Sequence, residues 1–184
     1  MFYEQTQLFE AKKAFVVEKR RFALNFAPLG NTRGMETVII CIGSDRVSGD
    51  MLGPLVGSRL REEYHLPCPV YGAVGESVNG LNLDEYLHMI DLRHKQSRII
   101  AVDAALGKGE DVGKIRLKKG GIKAGGALDR KGEKVGDIGV VGVVAKEEAP
   151  KDVYAALLGV PFALVEELAK RIAEMIHTAL SSSF

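Results

Sequence analysis

The sequence predicts a three-layer α/β/α sandwich built on a mostly parallel central sheet. Three observations carry that expectation. Short β-branched runs, Val38 to Ile42 and Arg98 to Val102, read as strands buried on both faces. Longer segments with helical apolar spacing alternate with them, the pattern of βαβ units. Finally, 184 residues of which 46% are hydrophobic suffice for one well-buried domain and are few for two.

The elements follow in order. Residues 1–35 read as a helical appendage, because Leu8, Ala11 and Phe15 fall near one face before Pro28, Gly30, Asn31 and Gly34 break the chain. Residues 36–184 read as the single α/β domain. After the first strand, Gly43 to Gly49 forms a loop, and Met51 to Tyr64 resumes helical spacing through Leu52, Leu55, Val56 and Leu60. Pro69 to Val74 is a short second strand, and Asn82 to His94 is a helix with Leu83, Tyr86, Leu87 and Ile90 on one face. Arg98 to Val102 is the third strand. Lys114 to Leu117 and Gly139 to Val144 supply two more around a Gly- and Lys-rich connection. Phe162 to Leu180 closes the chain as an amphipathic helix.

Composition narrows the function classes. The formal charge of +1 argues against a protein whose overall field selects nucleic acid or anionic membrane. Cys41 and Cys68 indicate no disulfide framework, and Cys41 sits within an apolar run as a small core residue. Lysines and arginines interrupt residues 1–26, which excludes a secretory signal there. No apolar run approaches the roughly 20 residues of a membrane helix. The expected location is the cytoplasm.

The chemistry concentrates at two aspartates. Asp50 follows the first strand and precedes a helix; Asp103 follows the third strand. In an open parallel sheet, the carboxyl ends of strands line the crevice that binds ligands. Each acid also has a structural reading: Asp50 as a helix cap, Asp103 as a turn-stabilising aspartate. Together they suit another role. Close carboxylates cannot both ionise cheaply, so one keeps a proton while the other takes one from water. The same two acids could instead hold a divalent ion, which normally needs a further ligand.

Neighbouring residues frame that crevice. Asp45, Arg46 and Ser48 occupy the loop before Asp50, where they shape the cleft or simply lie in solvent. Glu76 and Asn79 follow the second strand, placed for hydrogen bonds to a substrate or within an ordinary turn. Lys114 to Lys134 carries eight basic residues against two acidic ones and includes Gly125, but lacks aromatic residues for base stacking. Gly43-Ser44-Asp45-Arg46 does not continue as a phosphate-binding glycine loop, so nucleotide binding gains no support.

These motifs carry a resemblance. Cys41-Ile42-Gly43-Ser44-Asp45-Arg46, then Gly49-Asp50-Met51-Leu52-Gly53-Pro54-Leu55-Val56-Gly57, Ile100-Ala101-Val102-Asp103-Ala104 and Val135-Gly136-Asp137-Ile138 resemble the YyaC-type sporulation proteins of spore-forming Firmicutes. That family is similar in fold to two peptidase groups within the peptidase/phosphorylase-like folds. One is the spore germination protease, which degrades small acid-soluble spore proteins; its proposed catalytic aspartates correspond to Asp50 and Asp103. The other is the hydrogenase maturation endopeptidases, where two acids and a histidine bind nickel. The resemblance implies a sporulation-associated endopeptidase in the cytoplasm of the sporulating cell or the spore, acting on a peptide or protein. A homo-oligomer is compatible with it.

The histidines depart from the nickel-binding pattern. His65, His88, His94 and His177 all lie outside the Gly121 to Asp137 stretch where the third ligand belongs. A metal is therefore disfavoured and no cofactor is predicted, although Asp137 could replace the histidine as an oxygen ligand for a harder ion. The alternative from another class is a non-catalytic protein that uses the crevice to hold a peptide or partner.

Overall fold

The computed structural model describes residues 35–123, 134–147 and 152–181. Gly125 and the middle of the basic connection lie outside these described residues, as does the amino-terminal segment of the expected appendage. The described chain up to Ala173 belongs to one compact unit; the end of the last helix, from Glu174, belongs to a second.

Five strands form one sheet: β1 (Thr37–Cys41), β2 (Val70–Tyr71), β3 (Arg98–Gly107), β4 (Ile115–Lys119) and β5 (Ile138–Lys146). Their spatial order is β2-β1-β3-β5-β4, parallel throughout except for β4, which runs antiparallel to β5. The sequence reading of a mostly parallel sheet with helices matches this architecture. The reason lies in β1, whose Val38, Ile39, Ile40 and Cys41 are all fully buried, because helices cover both faces of a parallel sheet.

Among the described residues the α-helices are α1 (Leu52–Ser58), α2 (Leu83–Arg93), α3 (Val153–Leu158) and α4 (Phe162–Ser181). A π-helical turn, Arg59–Glu63, extends α1. Val38, Ile40, Ala101 and Val141 turn to one face of the sheet and pack with Leu83 and Ile90 of α2. On the other face a Cβ at Gly142 would meet Leu52 of α1 and Ile172 of α4. Those contacts place α2 on one side and α1 with the start of α4 on the other.

Helix α1 lies unusually close to the sheet. A Cβ on Gly53 would overlap the Ile42 carbonyl, and one on Gly57 would overlap the Gly72 carbonyl. Four residues apart, both glycines share one helix face. Their missing side chains let backbone pack on backbone, which accounts for Gly53-Pro54-Leu55-Val56-Gly57 as a packing motif.

At the amino-terminal end of the sheet, His94 clips three elements together. Its Nδ1 lies 2.8 Å from Glu36 Oε2 and its Nε2 lies 2.8 Å from the Tyr71 hydroxyl. His94 thus has a structural task. His65 and His88 are exposed.

Two expectations need correction. The second strand is shorter than Pro69 to Val74, since Gly72, at φ +87°, packs against the Cys41 carbonyl and ends the regular pairing. The third strand is longer than Arg98 to Val102. It continues to Gly107 beside β5, with an irregularity between Ala105 and Leu106.

Candidate active site

The carboxyl ends of the parallel strands converge where the connections diverge. From β1 the chain passes through α1 to β2 on one flank; from β2 it returns through α2 to β3 on the other. The gap between β1 and β3 is therefore the topological switch point, where open α/β sheets bind ligands.

Asp50 sits on a 3-10 turn, Ser48–Met51, between β1 and α1. Backbone bonds fix this turn. Asp50 N–H donates to the Val47 carbonyl at 2.9 Å, and Ser44 N–H donates to the Asp50 carbonyl at 3.2 Å. Gly43, at φ +149°, permits the return, because a side chain there would overlap the Asp50 carbonyl. Met51, with no side-chain cap bond, occupies the cap position of α1. The capping role that sequence alone allows for Asp50 is therefore not the one it has.

Asp103 lies inside β3, paired in register with Val141, so it does not stabilise a turn. It stands one residue beyond Val102, the partner of Cys41 at the end of β1. By the two-residue period of a strand it faces the same side as Ala101. Its Oδ1 accepts a 2.8 Å hydrogen bond from the Ala104 N–H.

Both carboxyls hold their protons more tightly than an ordinary aspartate. Burial raises Asp50, and the Ser44 N–H partly offsets it. Asp103 is raised well above the usual range, first by burial and next by the charge of Asp50, against weaker pulls from the Ala104 N–H and Lys118. The asymmetry fixes the order of ionisation. Asp50 charges first, and its charge holds the proton on Asp103.

A pocket of about 550 Å³ opens at this edge. The loop after β1 contributes Ser44, Asp45, Arg46 and Asp50; the loop after β2 contributes Ser77, Asn79 and Leu81. Tyr154 and Leu157 of α3 form another part of its lining. Asp103 is not among the described residues that line it.

The other expected site residues divide. Asp45 and Asn79 meet Asp50 in the pocket. Asp45 Oδ2 accepts from Gly75 N–H at 3.1 Å, tying the two loops together. Glu76 instead pairs with Arg61, Oε2 to Nη1 at 2.7 Å, and does not line the pocket. Asp137 accepts from the Ile99 N–H at 2.8 Å, near the start of β3. Four residues separate Ile99 from Asp103 along that strand, about 13 Å. This position answers against the suggested role of Asp137 beside Asp103.

Sequence reasoning missed Leu81, Tyr154 and Leu157. A signal for α3 was present: Asp152 precedes a six-residue helix that ends at Gly159, and its side chain accepts from Ala155 N–H. The helix reaches the site directly, since Leu157 and Val160 pack against Gly49 and Ser48 Oγ donates to the Val160 carbonyl at 2.7 Å.

The chain belongs to a family described as proteins of unknown function, DUF1256, whose profile matches residues 13–175. It is 36% identical over 116 residues to the uncharacterized protein YyaC of Bacillus subtilis (strain 168), across 63% of this chain and 57% of that protein. The chain thus matches little more than half the length of that relative. Among solved structures it is similar to a NiFe hydrogenase maturation protease, HycI, from Thermococcus kodakarensis KOD1. That similarity has a TM-score of 0.55 at 22% identity, covering 83% of this chain and 98% of that one. The family is therefore DUF1256, and the fold is similar to that of the hydrogenase maturation protease.

No group of three or more His, Cys, Asp or Glu side chains suited to a metal occurs among the described residues. His94 is committed to Glu36 and Tyr71. No helix among the described residues is long and apolar enough to cross a membrane.

Proposed function

We propose that this DUF1256 protein is a peptidase in which Asp50 and Asp103 form an acid–base pair, acting in the cytoplasm of a sporulating cell or spore. The observation that carries this reading is the placement of Asp50 and Asp103 on the connections and strand at the β1–β3 switch point, with Asp50 lining the pocket there. The peptidase-like fold supports it at the level of architecture.

In this mechanism ionised Asp50 takes a proton from water as the water oxygen attacks a peptide carbonyl carbon. Asp103 retains the proton of the pair and returns it toward the departing amine as the C–N bond breaks. Water supplies the hydroxyl of the new carboxyl group; its other proton is left on Asp50, and transfer of that proton to Asp103 restores the pair. The polar pocket residues Ser44, Ser77 and Asn79 hold the peptide backbone in place. No cofactor enters this scheme.

A second reading rests on a specific observation: Asp103 does not line the pocket with Asp50. In that reading the pocket binds a peptide or partner without hydrolysing it, and the acids set its polarity. The two readings separate by mass spectrometry after incubating a mixture of unfolded polypeptides with the full chain in water enriched in oxygen-18. Peptidase action yields new carboxyl termini carrying the label, and Asp50→Asn or Asp103→Asn lowers their yield by about 100-fold or more. Unlabelled, intact polypeptides recovered from the wild-type protein contradict hydrolysis.

A further inference from the structure

Leu81 is 96% exposed, the most open large apolar side chain in the described protein. It does not ride on a loose loop. Asn79 N–H donates to Asn82 Oδ1 at 2.8 Å, Leu81 N–H donates to Asn79 Oδ1 at 3.0 Å, and Asn82 Nδ2 donates to the Ser77 carbonyl at 3.0 Å. A further backbone bond closes the turn from Asn82 N–H to the Asn79 carbonyl. Such asparagine-closed turns fix backbone direction. The chain therefore holds Leu81 outward, at a position where its burial contributes nothing to the fold.

Tyr154 lines the same pocket and is 63% exposed. Its helix is pinned at the start by the Asp152 cap, and its neighbour Leu157 packs on Gly49, directly before Asp50. Two exposed apolar side chains thus belong to segments whose positions are tied to the acidic site. The same pocket is lined by hydroxyl, amide and charged groups, among them Ser44, Asp45, Arg46, Asp50, Ser77 and Asn79.

An occupant matched to this lining has an apolar side chain on a polar, hydrogen-bonding backbone. We infer that Leu81 and Tyr154 are specificity-determining residues that grip an apolar side chain of a peptide substrate, next to the bond presented to Asp50. The inference rests on the peptidase reading for its orientation, and it names the substrate class: peptide segments with a large apolar residue at the cleavage point. A peptide offers both the apolar group for the rim and the amides for the polar residues.

The test uses the full chain and blocked five-residue peptides of glycine with leucine, phenylalanine, serine, aspartate or lysine at the centre. Binding is followed by nuclear magnetic resonance of the Leu81 methyl groups and the Tyr154 ring. Leucine and phenylalanine peptides are expected to bind roughly tenfold or more tightly than the others, and Leu81→Ser or Tyr154→Ser removes that preference. Both sites are exposed, so the variants fold; their unchanged thermal unfolding verifies it. Asp50→Asn keeps the preference while abolishing hydrolysis, which separates failure of the clamp from failure of the reaction. Equal binding of all five peptides, or preference unchanged in both serine variants, overturns the inference. A dimer in sedimentation that Leu81→Ser dissolves also overturns it, by assigning the surface to a second copy.

Discussion

The charge of Asp50 raises the proton affinity of Asp103 across the switch point between β1 and β3. Asp103 is already raised by burial inside a strand, so the neighbouring charge makes it the second of the pair to ionise. One connection and one strand interior thereby combine a charged and a neutral carboxyl at the same sheet edge. That difference in environment separates base from acid, two roles that identical side chains take only when their surroundings differ.

A pH profile of hydrolysis follows from that order. Activity needs Asp50 ionised and Asp103 protonated. The rate rises as pH passes the Asp50 pKa, above the ordinary 3.8, and falls as pH passes the still higher Asp103 pKa. In kcat/KM measured against pH, Asp103→Asn lowers the maximum and removes the falling limb. A falling limb that persists unchanged in this variant assigns the acid to another group.

Stability has the opposite sign from the usual salt-bridged aspartate. The folded pKa of Asp103 is raised, so the folded state binds its proton more tightly than the unfolded chain does. The stabilisation is fully present below the ordinary carboxylate value and disappears as pH rises through the folded pKa. Asp103→Asn, which cannot ionise, therefore gains stability relative to wild type at neutral pH. The gain is about 1.4 kcal/mol for each pH unit between the ordinary value and the folded pKa, or the working pH where that is lower, and it vanishes as pH falls to ~4. Urea unfolding at neutral and acid pH measures both quantities; equal differences at the two pH values contradict the assignment.

Close approach of α1 gives a packing prediction. In Gly53→Ala the new methyl group meets the Ile42 carbonyl, a backbone atom that cannot rotate aside. The expected loss is about 2 kcal/mol or more in urea unfolding, with Gly57→Ala behaving similarly against the Gly72 carbonyl. An alanine at Gly75, where nothing lies within contact distance, meets no such overlap, but its φ of +81° still strains a side chain. Its loss is expected to be smaller, about 1 kcal/mol. Equal losses at Gly53 and Gly75 would mean that backbone contact does not set the cost.

Much of the architecture is legible because burial writes itself into residue type. The β-branched runs of β1 and β3 mark a sheet covered on both faces, and the periodic leucines and isoleucines of α2 and α4 mark the covering layers. Asp50, Asp45 and Asn79 are legible because each lies in the connection that leaves the carboxyl end of a parallel strand. Asp103 reads from the sequence as following a strand, whereas it lies within β3, which outlasts β1. Asp137 and Glu76 misled because adjacency in sequence does not say which end of a strand, or which salt bridge, a side chain reaches. Tyr154 and Leu157 come from a short helix more than a hundred residues beyond Asp50, a closeness that only the folded chain creates.

The coupled pair is tested most directly by titrating aspartate side-chain carboxyls by carbon-13 magnetic resonance in wild type and Asp50→Asn. The account predicts that Asp103 titrates well above 3.8, after Asp50, and that removing the Asp50 charge lowers the Asp103 pKa while burial still keeps it raised. An Asp103 that titrates in the ordinary carboxylate range, or one that does not move when Asp50 is neutralised, would contradict it.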